Sequence, residues 1–145
     1  MVASLLTGAA LFLGSLRVHL RTLSLSRRLM ASNPKWGFVE ACVLLFVSHF
    51  LVALTFAMAF WAGQELGFGG FKDVAVVSFM DIFYFSLVNI TTLGLGDIMP
   101  TGHLRSLAGV EALTGFILIS CTAQLIHEAG TSKRLSSSFE EKNSE

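Results

Sequence analysis

The residues with the clearest chemical potential lie in one short segment, which reads Thr92-Leu93-Gly94-Leu95-Gly96-Asp97. Glycine at alternate positions lets a backbone adopt conformations that point successive carbonyl groups the same way. Carbonyl oxygens from several copies of such a segment, aimed at a common axis, replace the water shell of a monovalent cation. The hydroxyl of Thr92 adds an innermost ring of oxygens. The segment, called the filter segment below, therefore predicts a cation site made of main-chain oxygens.

A second set of polar residues follows at helical spacing in an otherwise apolar stretch. Ser120, Gln124 and His127 stand at i, i+4 and i+7, which places them on one face of a helix. Polar groups at membrane depth normally face protein or a water-filled cavity, so these three are predicted to line a cavity. The alternative is that they form hydrogen bonds between helices.

The composition identifies the environment of both sets as a lipid bilayer. The 145 residues are 53% hydrophobic and 14% charged, with a mean hydropathy of +0.68, against about 25% charged in soluble domains. A soluble domain of this size cannot bury so much apolar surface. Ten basic and ten acidic residues give no basic excess for a nucleic-acid partner. Two cysteines without repeated Cys/His spacing indicate neither a disulfide framework nor a metal centre.

Hydropathy and turn residues divide the chain into eight segments. They are a transmembrane or interfacial helix (1–22), a basic cytoplasmic loop (23–37), an outer transmembrane helix (38–63), an external connection (64–77), a short helix (78–91), the filter segment (92–97), an inner helix (104–128) and a disordered cytoplasmic tail (129–145). The first is short for a span of about 20 residues unless its arginines reach the interface, so both forms stay open. The predicted fold class is an all-α membrane protein.

The basic residues predict the orientation. All of the ten Lys and Arg residues except Lys72 and Arg105 lie between the first two spans or after the third. The positive-inside rule makes that side cytoplasmic. The N-terminus and the connection that carries the filter segment are then outside, and the C-terminus is cytoplasmic.

The segment before the filter predicts a re-entrant loop. Ser78 followed by Asp81 is typical of a capping box at a helix start. The apolar helix that follows, from about Phe79 to Thr91, is too short to span and leads into glycines and then Pro100. Such a helix enters the membrane and returns as extended chain, and its negative C-terminal end favours a cation near the membrane centre.

These motifs together resemble the pore module of potassium channels. The filter segment resembles their Thr-Val-Gly-Tyr-Gly-Asp selectivity filter, Tyr84-Phe85-Ser86 resembles the aromatic pair and serine of their pore helix, and Pro100 falls where they carry a proline. The leading helix and Glu111-Ala112-Leu113-Thr114-Gly115 are similar to small bacterial channels with three spans per chain. The resemblance implies a two-helix pore module with one extra N-terminal helix, which assembles as a homotetramer in the cell membrane.

The resemblance also implies a role for each matching residue. Passive conduction of K+ is expected, with K+ bound at the carbonyls of Thr92, Leu93, Gly94, Leu95 and Gly96. Asp97 is expected at the outer mouth, and Tyr84, Phe85 and Glu111 are expected to support the filter. The predicted cavity residues are Ile117, Ser120, Gln124 and His127, with Gly115 as a hinge or as a packing glycine. Neither an enzyme activity nor a cofactor other than the permeant ions is expected.

Several alternatives stay open. Leu95 stands where the filter tyrosine is usual, and Val88 where a glutamate is frequent, so a poorly selective cation pore is the competing function. Glu111 either braces the filter in place of that glutamate or pairs with Arg105 or His103. His49, near the middle of the second span, is either a structural histidine or a proton sensor.

Two further readings belong to other classes of protein. Gly94-Leu95-Gly96-Asp97 also resembles the Gly-x-Gly-Asp motif of intramembrane aspartyl proteases. Those enzymes need a second aspartate, for which Asp73 and Asp81 are the candidates. The other reading is a non-conducting partner that anchors further subunits.

Overall fold

The computed structural model describes residues 2–33, 35–72 and 77–142, and the side chains of residues 4–33, 35–72 and 77–131. Its elements are, in chain order, α1 Val2–Ser32, α2 Gly37–Glu65, β1 Phe71–Lys72, α3 Phe79–Ile90, β2 Met99–Pro100 and α4 Leu104–Lys142. Two of the described helices are long and apolar enough to cross a membrane, Gly37–Glu65 and Leu104–Thr131. The predicted all-α membrane fold, with a short helix between two spans, is confirmed.

The first helix is longer than predicted. α1 runs without interruption from Val2 to Ser32, whereas the hydropathy pattern predicts a helix that ends at residue 22 and a loop over 23–37. Leucine, arginine and methionine continue a helix at little cost, and each added residue gains a hydrogen bond once the helix exists. The chain meets no proline before residue 34. Arg27 and Arg28 therefore lie on a helix and not in a loop.

Contacts at three successive positions along the two helices show that α1 and α4 run parallel. Gly8 lies against the side chain of Val110. The ring of His19 is 3.1 Å from the Thr122 hydroxyl, and Arg27 forms a 3.0 Å ion pair with Glu128. From Gly8 to Arg27 the helix rises about 29 Å, close to the thickness of about 30 Å for a bilayer's hydrocarbon core. α2 runs the opposite way beside them, and its Gly63 reaches the Leu104 side chain.

An aromatic cluster holds the short helix α3 against α2. The Phe85 ring makes edge-to-face contacts with Phe60 and Phe71, each with ring centroids 5.3 Å apart. Such pairs contribute about 0.5–1.5 kcal/mol each beyond their buried area. Phe56, Ile82 and Leu118 are fully buried beside them. Phe85, expected to support the filter, thus fixes the position of α3.

The capping box predicted for α3 is confirmed. The Asp81 amide donates to the Ser78 hydroxyl over 3.2 Å, and the Ser78 amide donates to the Asp81 carboxylate over 2.8 Å. The hydrogen bonds from Ser78 hold the pKa of the Asp81 carboxyl below its ordinary value. The helix therefore starts at Phe79, at one end of the bundle.

A two-stranded antiparallel sheet joins the chain before α3 to the chain after the filter segment. Phe71 pairs with Pro100, and Lys72 pairs with Met99. Gly69 has φ +154°, and a Cβ there would lie 2.2 Å from the Thr101 carbonyl oxygen, so this close approach requires glycine. The sheet fixes the chain that leaves the filter segment immediately before α4 begins.

The last helix also departs from the prediction. α4 continues to Lys142, beyond residue 128 where the inner helix was expected to end and into the stretch predicted as a disordered tail. Extending an existing helix costs far less than starting one, so polar Ser, Lys and Glu residues continue it. Residues 143–145 of the predicted tail lie outside the described residues.

Candidate functional site

The filter segment follows directly from the C-terminal end of α3. The Thr92 amide donates to the Asn89 carbonyl over 3.0 Å, and the Leu93 amide donates to the Val88 carbonyl over 3.2 Å. These bonds use carbonyl groups at the end of α3 that have no partner within the helix. The inner end of the segment is therefore attached to α3.

The backbone of the filter segment alternates in handedness. φ is +60° at Thr92, +53° at Gly94 and +77° at Gly96, and Thr92 is the only non-glycine residue with positive φ in the described part of the chain. Alternation of left-handed and right-handed residues turns successive carbonyl groups to the same side of the chain. Thr92 has a β-branched side chain and lacks the conformational freedom of glycine, so its positive φ costs about 1–3 kcal/mol. Backbone strain of this kind is typical of functional sites.

The outer end of the segment is held by a side-chain hydrogen bond. The Tyr84 hydroxyl donates to Oδ2 of Asp97 over 2.9 Å, and the Ile98 amide donates to Oδ1 over 3.1 Å. The bond to Asp97 raises the pKa of the Tyr84 phenol, because the carboxylate stabilises its protonated form. Tyr84 and Asp97, predicted as filter support and outer mouth, therefore lie in contact.

Glu111 lies behind α3 and is fully buried. Its Oε1 contacts the Ser86 hydroxyl, and its Oε2 accepts a 2.7 Å hydrogen bond from Asn89 Nδ2. The Ser86 hydroxyl is also 2.6 Å from the Ala53 carbonyl oxygen of α2, and Asn89 Nδ2 donates to the Ala108 carbonyl of α4 over 2.9 Å. This group, called the Glu111 network below, joins α2, α3 and α4.

The contacts of Glu111 bear on whether it braces the filter segment or pairs with Arg105 or His103. Its carboxyl contacts the helix that leads into the filter segment, and no hydrogen bond or ion pair joins it to Arg105 or His103 among the described side chains. Asn89 was not singled out from the sequence. A lone amide in an apolar helix was the available signal, because polar side chains at membrane depth normally have a partner.

Gly115 lies at the contact between the end of α3 and α4. A Cβ at this position would lie 1.8 Å from the Ile90 carbonyl oxygen, so no larger residue fits without moving one of the helices. The packing alternative therefore accounts for this glycine without a hinge.

The predicted cavity residues share one exposed face of α4. Ile117, Ser120, Gln124 and His127 are all exposed in the single chain. Ser120 donates to the Phe116 carbonyl of its own helix over 2.7 Å, and Gln124 donates to Glu128 over 3.2 Å. Within the described chain, none of these side chains forms the hydrogen bond to another helix that the alternative required.

The polar contacts between helices come instead from His19, which the sequence analysis did not select. This buried histidine on α1 bonds to the Ser48 hydroxyl of α2 at 3.2 Å and to the Thr122 hydroxyl of α4 at 3.1 Å. The His49 ring packs edge-to-face on it, with centroids 4.8 Å apart, and donates to the Leu45 carbonyl of its own helix. His19 and not His49 therefore joins the three helices.

The aspartates have separate partners. Asp97 bonds to Tyr84 and Ile98, whereas Asp81 bonds to Ser78. Asp73 lies outside the described residues. Among the described side chains, no second carboxyl group shares a hydrogen bond with Asp97, which the protease alternative requires.

Comparison with known proteins gives one match. A family model described as an ion channel matches residues 40–132, more than half of the chain, from the start of α2 through the apolar part of α4. No curated protein and no solved structure matches the chain.

Proposed function

The chain belongs to the ion-channel family whose model matches residues 40–132, and on this premise we propose that it forms a homotetrameric, potassium-selective pore in the cell membrane. The observation that carries the proposal is the alternation of positive φ at Thr92, Gly94 and Gly96. It directs a row of carbonyl oxygens to one side of the chain. A ring of such rows replaces the hydration shell of K+.

The need for several copies follows from what one chain leaves uncovered. Residues 91–97 are exposed in the single chain, with Leu93 65% and Leu95 56% exposed. Irregular backbone is tolerated at membrane depth only where protein or water covers it. Lipid cannot supply the missing hydrogen bonds. Identical chains around an axis cover the outside of each filter segment and leave water and ions in the middle.

The same assembly gives the exposed face of α4 a role. Ser120, Gln124 and His127 then line a water-filled cavity on the cytoplasmic side of the filter. Leu113 and Phe116, which are 65% and 63% exposed, are available to pack on a neighbouring copy. Burial of an apolar surface stabilises an assembly by about 25 cal/mol per Å² only when that surface leaves water. Within the membrane these side chains leave lipid instead, so close packing holds the copies together.

Potassium selectivity is favoured over a poorly selective pore because both ends of the filter segment are anchored. Leu95 lacks the hydroxyl of the usual tyrosine, but Tyr84 holds the outer end through Asp97. Val88 lacks a carboxyl group, but Glu111 supplies one from α4 to the same helix. A filter held at both ends keeps its ring size, which distinguishes K+ from the smaller Na+.

The proposed orientation places the N-terminus outside and the C-terminus in the cytoplasm. α1 is proposed as a third span on the lipid-facing perimeter, since it lies parallel to α4 over the thickness of a bilayer. A helix lying in the membrane plane would cross α4 instead of following it. Arg27 and Arg28, near the C-terminal end of α1, then lie on the cytoplasmic side.

The experiment is the reversal potential of the purified protein in a planar bilayer, with K+ on one side and Na+ on the other. A value near the potassium equilibrium potential is expected, from particles whose native mass corresponds to four chains. Current that reverses near zero would replace the proposal with the poorly selective pore. Absence of current, or a mass other than that of four chains, would contradict it.

Gly94→Ala supplies the matched test of the filter conformation. A Cβ at Gly94 meets no atom within 4 Å, so the variant acts through its φ of +53° and not through a clash. We expect it to abolish selective current. Gly14→Ala on α1 also meets no atom within 4 Å and has helical φ, and it is expected to conduct as the unmodified chain does.

A further inference from the structure

The Glu111 network contains one more acceptor than donors if Glu111 is ionised. The Ser86 hydroxyl has a single hydrogen, yet it lies within hydrogen-bond distance of both the Ala53 carbonyl oxygen and Glu111 Oε1. A carbonyl oxygen only accepts. If Ser86 donates to Ala53, the hydrogen between Ser86 and Glu111 must come from Glu111.

We propose that Glu111 carries a proton in the conducting state, and that this proton holds the inner helix α4 against the filter-bearing helix α3. Every donor and acceptor then has a partner. Glu111 donates to the Ser86 hydroxyl, which donates to the Ala53 carbonyl. Asn89 uses its two hydrogens for Glu111 Oε2 and the Ala108 carbonyl.

The groups that face Glu111 in the described structure are neutral, and no cation is among them. α3 presents Ser86 and Asn89, α2 presents the Ala53 carbonyl, and α4 presents the Ala108 carbonyl. No basic side chain pairs with Glu111 among the described residues. Loss of the proton would leave a buried charge without a cation and two acceptors, Glu111 and the Ala53 carbonyl, for the single hydrogen of Ser86, and both changes oppose the closed contact.

The network acts on the filter through Asn89. Its side chain bonds to Glu111, and its backbone carbonyl accepts from the Thr92 amide at the inner end of the filter segment. Glu111 does not touch the permeant ion and is a positioning residue. Its deprotonation removes the donor to Ser86 and places a charge in the buried contact between α3 and α4, which loosens the inner end of the filter. This consequence for conduction rests on the proposed function, whereas the protonation state does not.

The first experiment tests the proton without any current. Infrared difference spectra between the unmodified chain and Glu111→Gln are recorded at neutral pH in lipid. We expect the C=O stretch of a protonated carboxyl group, shifted in D2O, to be lost in the variant. A difference spectrum that shows only an ionised carboxylate would overturn the proposal. Glu65→Gln, which removes an exposed carboxylate at the end of α2, is the control expected to show the ionised form.

The second experiment tests the consequence for the filter. The glutamine amide of Glu111→Gln can donate to Ser86 and accept from Asn89, but it has no proton to lose at high pH. We expect K+/Na+ selectivity of the unmodified chain to be lost as pH rises, and that of Glu111→Gln to be independent of pH. Glu65→Gln should follow the unmodified chain. Identical pH profiles for the two Glu111 forms would refute the role of the proton in positioning the filter.

The two readouts separate this inference from the proposed function. A chain that carries no current at any pH contradicts the proposed function, while the infrared spectrum still decides the protonation of Glu111. A selective pore whose spectrum shows an ionised Glu111 contradicts the inference alone.

Discussion

At the scale of single residues, two side chains hold opposite ends of the filter segment, although Leu95 and Val88 lack polar groups that could do so. Tyr84, the one tyrosine of the chain, bonds to Asp97 at the outer end. Glu111 reaches the inner end through Asn89. Neither contact involves Leu95 or Val88, the two positions that depart from the potassium-channel pattern. Both ends of the filter segment are therefore held without a hydrogen-bonding side chain at position 95 or 88.

We expect Tyr84→Phe to weaken selectivity while the protein still assembles. The change removes one hydrogen bond to a carboxylate and leaves the aromatic ring in place. The K+/Na+ permeability ratio from reversal potentials measures the effect. Asp97→Ala with and without Tyr84→Phe completes a double-mutant cycle. Strictly additive effects of the two changes would show that the hydrogen bond does not hold the filter.

At the scale of elements, the short helix α3 is set by local and by tertiary contacts. Its N-terminus is fixed by the capping box of Ser78 and Asp81. Its C-terminal end is fixed by the Glu111 network and by the packing of the Ile90 backbone against Gly115 of α4. The two ends therefore respond to different perturbations.

The capping box predicts an acid-dependent stability. Because the pKa of Asp81 is lowered from 3.8 in the folded protein, its contribution is present above pH 3.8 and is lost as pH falls through the lowered value. Ser78→Ala should cost about 0.5–2 kcal/mol near neutral pH. Thermal unfolding in detergent at several pH values should show the difference from the unmodified chain shrinking below pH 3.8. A difference that stays constant to the lowest pH would contradict this account.

The contact between α3 and α4 predicts a large effect of one methyl group. Gly115→Ala places a Cβ 1.8 Å from the Ile90 carbonyl oxygen, so the helices must separate. Overpacking of this kind costs about 1–3 kcal/mol, and thermal unfolding measures it. Gly14→Ala, in open space on α1, is the control expected to lose no stability. A fully stable Gly115→Ala protein with altered opening would favour the hinge instead.

At the scale of the whole molecule, one buried histidine joins α1 to both spans of the channel module, in addition to apolar packing such as that of Gly8 on Val110. His19 contacts Ser48 on α2 and Thr122 on α4, two helices that the family match includes, whereas α1 lies outside residues 40–132. The surface ion pair of Arg27 and Glu128 contributes at most about 1 kcal/mol. Of these two polar contacts of α1, the buried one therefore contributes more.

We expect His19→Ala to destabilise the protein without changing its ion selectivity. The variant leaves two hydroxyl groups without their partner and opens a cavity between three helices, at a cost of about 2–5 kcal/mol. Thermal unfolding measures the loss, and the reversal potential is expected to stay that of the unmodified channel. His103→Ala, at an exposed position, is the control for loss of an imidazole. A changed reversal potential would mean that α1 also positions the filter.

The sequence by itself determined the features that depend on neighbours along the chain. The capping box of α3 needs only Ser78 and Asp81, three residues apart, and the alternate glycines set the handedness of residues 94 and 96. The two spans follow from continuous apolar stretches, because lipid requires them whatever surrounds them. The family match, over residues 40–132, includes α3, the filter segment and most of both spans.

Only the tertiary structure decided the contacts between residues far apart in the sequence. Glu111 could pair with Arg105 or with α3, and its neighbours along the chain do not distinguish the two, since the partner depends on how the helices are rotated. The same holds for His19, whose partners lie on two other helices, and for Gly115, whose size matters only because Ile90 approaches it. The ends of α1 and α4 were missed for another reason: a helix already formed extends through residues that would not start one.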